Sequence, residues 1–310
     1  MSSFVPPGKA LREKALEIHT LESSKKQQLL TIYRDEDFEP KTQPKRGSWL
    51  AEHKEYGQTF TAYKNTPFNR IKKSNQNVIY IYPLEQFSEE NPTKCPSLTV
   101  LIKFLQAFYC GVEVKALNSS LTKSAPQFTT RMNGSVMQYK TGDILNYLKK
   151  IIPKDAYCVL GLTMVDLYPD ESWNFVFGIA SLENRVGVFS FARYHPAFYG
   201  DDHLSDFEIE KLLLRRSCKV ASHEIGHMFG IKHCIFYQCA MNGSNHMDES
   251  DSRPLELCPI DLRKLQYCIG FDETERYNKM LSFFKEHADI FPSEISWIEK
   301  RLEKIRASQQ

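Results

Sequence analysis

The first 77 or so residues are polar and weakly periodic, with Lys, Gln, Ser and Pro frequent. One helix is predicted from Lys9 to Tyr33, and the rest of this stretch reads as a loosely packed extension. From Val78 the pattern changes. "VIYIYPL" predicts a strand, and "SLTVLIKFLQAFY" (Ser97 to Tyr109) a helix opened by its serine. "GVEVKAL" predicts a second strand, and "TGDILNYLKKII" (Thr141 to Ile152) a helix stopped by Pro153. "AYCVLGLTMVDLY" is almost continuously apolar, as a central strand buried on both faces must be. "WNFVFGIASLENRVGVFSFARY" holds two apolar runs joined at Glu183–Arg185, a hairpin or two successive strands. Glu208 to Phe229 then reads as a helix ending at Gly230, and the tail from Asp272 as one or two amphipathic helices interrupted near Pro292. Strands alternating with helices, followed by a short antiparallel addition, give an α/β or α+β domain with a mixed sheet. The expected division is a polar extension (1–77), a catalytic domain (78–270) and a C-terminal helical segment packed on it (271–310).

Composition narrows the function classes. With 42% apolar and 25% charged residues, the chain of 310 reads as soluble and globular. Its net charge of +2 provides no electrostatic case for nucleic acid, and the basic cluster Arg215, Arg216, Lys219 runs into an apolar helical pattern as a solvated face would. No stretch approaches the ~20 apolar residues of a membrane span. The opening residues lack a secretory leader, so an intracellular, cytoplasmic protein is expected. Cysteines then stay reduced. Cys95, Cys110, Cys158 and Cys218 lie in apolar contexts as core thiols, whereas Cys234, Cys239, Cys258 and Cys268 cluster and suggest metal more than disulfides. Sequence sets no oligomeric state.

The chemistry concentrates in "HEIGHMFGIKHC", His223 to Cys234. On a helix, residues four apart share a face, so His223 and His227 point the same way, spaced to grip one metal ion. Glu224 sits beside the first ligand, placed to act on a water without being a ligand itself. Gly230 stands where a helix ends in a left-handed conformation, and His233 arrives three residues later as a third nitrogen. Three protein ligands leave one tetrahedral position open, the pattern of a catalytic zinc site. H-E-x-x-H alone also occurs in buried helices whose histidines only hydrogen-bond. With the Gly and third His in place, chance agreement at five positions is improbable.

With Cys234, Cys239, Met241 and "CPID" (Cys258 to Asp261) following, and "DLYPDESWNFVFG" and "VGVFSFARY" upstream, residues 78 to 270 resemble the archaemetzincin (archaelysin) family. The resemblance implies an α+β, metzincin-like zincin domain with a mixed, twisted sheet and an active-site helix. It also implies peptidase activity, aminopeptidase-like or on short peptides, and a second, structural zinc beside the catalytic one. By the same resemblance His223, His227 and His233 are the catalytic ligands, Glu224 the general base, and Met241 the methionine beneath the metal. The second site departs from the family pattern, because Asp261 stands where a cysteine belongs. Cys234, Cys239 and Cys258 remain as thiolates, and Asp261 is either an oxygen ligand or only a first-turn acid after a Cys258 cap. His246 and Cys268 are spare candidates.

The resulting expectation is a zinc metallopeptidase acting on peptides, without nucleic acid or membrane as partner. Its rival is a catalytically silent, zinc-containing scaffold whose polar N-terminus covers the cleft. Substrate would lie extended along a sheet edge, expected at Asn184–Tyr194. Tyr194 and His195 are either oxyanion donors or half-buried structural residues.

Overall fold

The computed structural model describes residues 4–17, 26–66, 71, 75–117, 127–200 and 203–308. Contacts divide the chain into two compact units, one of Met1–Pro67 with Gly230–Gln310, the other of Phe68–Phe229. These boundaries differ from the composition shifts near 77 and 270. The N-terminal residues and the C-terminal helices belong to the same unit, because the polar extension makes specific bonds instead of dangling.

The N-terminal stretch carries α1 (Lys9–Leu16), α2 (Lys26–Ile32), α3 (Trp49–Glu52) and α4 (Phe60–Asn65). The single helix expected over Lys9–Tyr33 is therefore two helical pieces, with 18–25 outside the described residues.

The second unit holds β1 (Val78–Pro83), α5 (Leu98–Phe108), β2 (Glu113–Ala116), β3 (Thr130–Asn133), β4 (Val136–Lys140), α6 (Thr141–Ile151), β5 (Ala156–Thr163), β6 (Asp166–Tyr168), β7 (Gly178–Ser181), β8 (Val186–Ser190) and α7 (Asp206–Met228). The main sheet runs β2-β1-β5-β8-β7, all parallel except the β7–β8 hairpin. This is the mixed sheet of an α+β protein. Every residue of β5 is buried, as its unbroken apolar run requires. The run does not continue as one strand to Tyr168. The Glu85 carboxylate accepts from the Thr163 hydroxyl (2.9 Å) and from the Met164 amide, ending β5. β6 then joins a separate three-stranded sheet, β3-β4-β6, which the apolar pattern does not reveal because β3 is mostly exposed. Tyr82, Ile144, Leu148, Val159, Leu167 and Val188 pack as the core against the sheet.

The expected substrate edge needs correction. β8, within Asn184–Tyr194, is paired on both sides, and the free edge on that flank is β7. A short apolar run shows that a segment is a strand and says nothing about its place in the sheet.

The chain returns to the first unit with α8 (Met247–Ser252), α9 (Pro259–Ile269), α10 (Glu273–Glu286) and α11 (Pro292–Ala307). Pro292 opens α11 at a first-turn position where its missing N–H costs nothing. Arg301 binds the Ile32 carbonyl (2.5 Å) and the Asp37 carboxylate, and the Tyr33 hydroxyl donates to Glu273 (2.5 Å). These buried charged bonds fasten the extension to α10 and α11. Among the described residues no helix is long and apolar enough to cross a membrane.

Candidate metal centres

Helix α7 is built to hold its C-terminal turns still. A capping box starts it, with the Ser205 side chain accepting from the Glu208 amide while Glu208 accepts from the Ser205 amide (2.9 Å). Ser217 to His223 are all buried, and the helix packs on α5, β7 and β8. Two tyrosines occupy backbone carbonyls near its end. Tyr109 donates to Ser222 (2.5 Å) and Tyr157 to Met228 (3.1 Å), and both rings stack on Phe229, at 5.2 and 4.4 Å. Sequence reading missed both tyrosines, which the pattern marks only as core. Gly230 follows at φ 79°, the left-handed stop expected of it.

The histidines converge as the spacing predicts. The Nε2 atoms of His223 and His227 lie 3.0 Å apart, and His223, His227 and His233 each offer a nitrogen within 4.8 Å of the others. A tetrahedral zinc with bonds of ~2.0–2.1 Å would set two nitrogens about 3.3 Å apart, so the donor set fits that ion. Glu224 is half-buried at the next position along the helix from His223. On the returning chain, Gln58 donates to the Gly230 carbonyl (3.1 Å) and accepts from the Lys232 amide (3.1 Å), clamping the turn that leads to His233.

The second cluster brings together Cys234, Cys239, Cys258 and Asp261, all buried. Cys234 Sγ lies 3.6 Å from Cys258 Sγ, and Asp261 Oδ2 lies 3.3 and 3.5 Å from the sulfurs of Cys239 and Cys258. Zinc bonded to sulfur at ~2.3 Å and to oxygen at ~2.1 Å would place such pairs about 3.6–3.8 Å apart. The set fits zinc with little rearrangement. Asp261 stands in the first turn of α9 and beside the cysteines. Cys258 caps α9, Pro259 is its first residue and Asp261 lies in the first turn, yet one carboxylate oxygen faces the thiols. The other oxygen is held by Lys264 Nζ at 2.7 Å, in an ion pair that is 2% exposed on the lysine side and 0% on the aspartate side. The sequence carried this pair as an i,i+3 spacing, which usually means a solvated helix face.

Asn242 ties the cysteine loop. It accepts from the Cys239 amide (3.0 Å) and donates to the carbonyls of Cys234 and Tyr237, both at 2.9 Å. The Cys239 sulfur accepts from the amides of Cys258 (3.2 Å) and Met241 (3.5 Å), bonds that favour a thiolate. Met241 is fully buried, and its carbonyl accepts from the Cys234 amide (2.8 Å). His246 instead caps α8, and Cys268 stands outside the cluster. Cys95, Cys110, Cys158 and Cys218 are buried and form no disulfide, and burial pushes Cys158 up to about 12.

Titration of the cluster follows from burial. It pushes Asp261 up to about 6 and the thiols of Cys239 and Cys258 well above their usual range. Cys234 also meets the burial penalty, but hydrogen bonds from Cys239 and Cys258, with the Lys264 charge nearby, draw it well below that range. The metal-free cluster therefore keeps two thiol protons that a zinc ion must displace. Zinc affinity at this site is expected to rise with pH through and above neutrality, on the order of 100-fold per pH unit. Chelator competition across that range measures the slope, and a flat profile would mean that these thiols do not bind the metal.

Tyr194 and His195, the two oxyanion candidates, follow β8. Tyr194 is buried with its ring among Phe177 and Phe189. His195 uses Nε2 on the Thr93 carbonyl (2.6 Å) and Nδ1 on the Ala197 amide (3.1 Å).

Comparison with known proteins places these residues in context. Residues 113–267 match the model of peptidase family M54. Archaemetzincin-2 of Rattus norvegicus is 39% identical over 272 residues, 81% of this chain and 76% of that one. Archaemetzincin-2 of Homo sapiens is 38% identical over 278 residues, 82% and 77% of the two chains. A crystal structure of archaemetzincin from Methanopyrus kandleri aligns with 63% of this chain and 97% of its own, at 26% identity and a TM-score of 0.44.

Proposed function

The chain belongs to peptidase family M54, the archaemetzincins, and is a zinc metallopeptidase; we propose that it trims short peptides from their amino ends, using His223, His227 and His233 as metal ligands and Glu224 as general base. The observation that carries this reading is the convergence of three imidazole nitrogens within 4.8 Å, with Glu224 one position from the first. When bound, zinc supplies a Lewis acid for the peptide carbonyl and lowers the pKa of a water towards ~7. Glu224 takes the proton of the attacking water and delivers it to the leaving amine, so one carboxylate serves first as base and then as acid. The tyrosine-held end of α7 keeps His223, Glu224 and His227 in fixed relation while this happens.

The preference for short peptides has a physical support besides the family likeness. β7, the free edge packed on α7, is only four residues long. That offers about 13 Å of backbone for an added strand. An edge of this length pairs with a short extended segment and holds a long one only at one end. Cys234, Cys239, Cys258 and Asp261 hold a second, structural zinc in this reading, pinning the chain next to His233.

The test is cleavage of a peptide library by the purified, zinc-loaded protein, with each peptide present as the free amine and as its N-acetyl form. Cleavage of the free amines only, one residue at a time, is expected. Internal cuts insensitive to acetylation would make the enzyme an endopeptidase. A protein that holds zinc and cuts neither form would be the silent scaffold.

A further inference from the structure

We infer that Glu55, in the N-terminal stretch outside the matched family region, is a positioning residue for the third metal ligand, His233. The inference rests on the reading of His233 as a ligand of the catalytic zinc. Glu55 Oε1 lies 2.9 Å from His233 Nδ1, across 178 residues of sequence. An imidazole engaged through Nδ1 has only Nε2 left to offer a metal, so the carboxylate fixes both the tautomer and the direction of the donor lone pair.

Glu55 is itself held. The Trp49 indole Nε1 donates to the same oxygen at 2.9 Å, and the Trp49 ring stands edge-on to His233 at 4.9 Å between centroids. Trp49 is anchored in turn. Its amide donates to both oxygens of Glu249 (3.0 Å each), its ring stacks on His53 at 3.9 Å, and Gly243 lies so close that a Cβ there would come within 2.6 Å of the indole. A carboxylate seated this way has little freedom to swing elsewhere, so its bond to His233 is a fixed constraint on the ring. The extension therefore supplies the partner that holds the ring of a His standing beyond the end of α7.

The test compares wild type, Glu55→Gln, Glu55→Ala and His233→Ala as full-length protein. Zinc affinity is measured at each site by chelator competition, and the absorption spectrum is recorded with cobalt in the catalytic centre. Removing the outer partner of a ligating histidine costs about 10–100-fold in metal affinity, and that loss is expected for Glu55→Ala. Glu55→Gln should recover part of it, because the amide oxygen still accepts from Nδ1–H. The cobalt spectrum should change in Glu55→Ala, while zinc in the cysteine cluster and the melting of the metal-free protein stay as in wild type. Peptide cleavage should fall mainly in kcat at zinc concentrations that refill the site. Should Glu55→Ala fail to fold, Glu55→Gln carries the comparison alone, with a smaller affinity loss and the same cobalt shift expected. Wild-type catalytic zinc affinity and an unchanged cobalt spectrum in the Glu55 variants, with His233→Ala impaired, would overturn the inference and leave the peptidase reading intact. Unchanged affinity in His233→Ala would overturn the ligand assignment and the inference together.

Discussion

Glu224→Ala is expected to lower peptide hydrolysis by about 10²–10⁴-fold while zinc stays bound, the range a positioned general base contributes. The residue is half-buried on α7, one position from His223, and it is not among the three nitrogens that converge. Its removal takes a proton acceptor from the centre without taking a metal ligand. The helix should survive the change, since alanine is the best helix former and the capping box lies far upstream. The measurement is zinc per chain together with kcat/KM on the best library peptide. Equal cleavage by the variant would remove Glu224 from the mechanism. Loss of zinc along with activity would make it a ligand. A variant that keeps its zinc and loses its hydrolysis separates binding from proton transfer, and so separates the peptidase from a scaffold that merely holds metal.

Lys264→Met is expected to destabilise the metal-free protein by about 3–5 kcal/mol, the cost of leaving one member of a buried ion pair without its partner. Asp261 and Lys264 meet at 2.7 Å with almost no exposure, so Asp261 in the variant is a buried carboxylate without the ammonium. The sign of the pH dependence follows from the carboxyl, which burial already raises to about 6. Losing the lysine raises it further. The penalty is therefore fully present above that pH and shrinks as the carboxyl protonates below it. Zinc changes the balance, because a cation facing Oδ2 compensates the same charge. Saturating zinc should recover much of the loss in melting temperature. The pair also alters what Asp261→Cys would do. Restoring the family cysteine alone strands the Lys264 ammonium in the interior, so the single variant is expected to melt lower than wild type without zinc. Asp261→Cys with Lys264→Met removes both charges and should bind zinc more tightly than wild type, thiolate being the softer ligand. Melting temperatures of the four proteins, with and without zinc, measure the coupling. Additive effects of the two substitutions would mean that the pair does not act as a unit.

What sequence by itself determined here is local. Helical period puts residues four apart on one face, so the spacing of His223 and His227 already placed two nitrogens together, and they meet at 3.0 Å. A glycine before the return marked the left-handed stop at Gly230, and the apolar run of β5 declared a strand buried on both sides. The cysteine spacing named four candidates because their chemistry is rare enough to stand out, and three of them, without Cys268, meet in the cluster. Tertiary structure alone decided the rest. Glu55 reaches His233, and Arg301 reaches Asp37, over separations that no periodicity encodes. The apolar run told that Val186–Ser190 was a strand, but only pairing made β7 the edge in its place. Lys264 shows the reason most plainly. Three residues from Asp261 on a helix, it has the spacing of an ordinary surface pair. Its weight comes from burial, which is a property of everything packed around it.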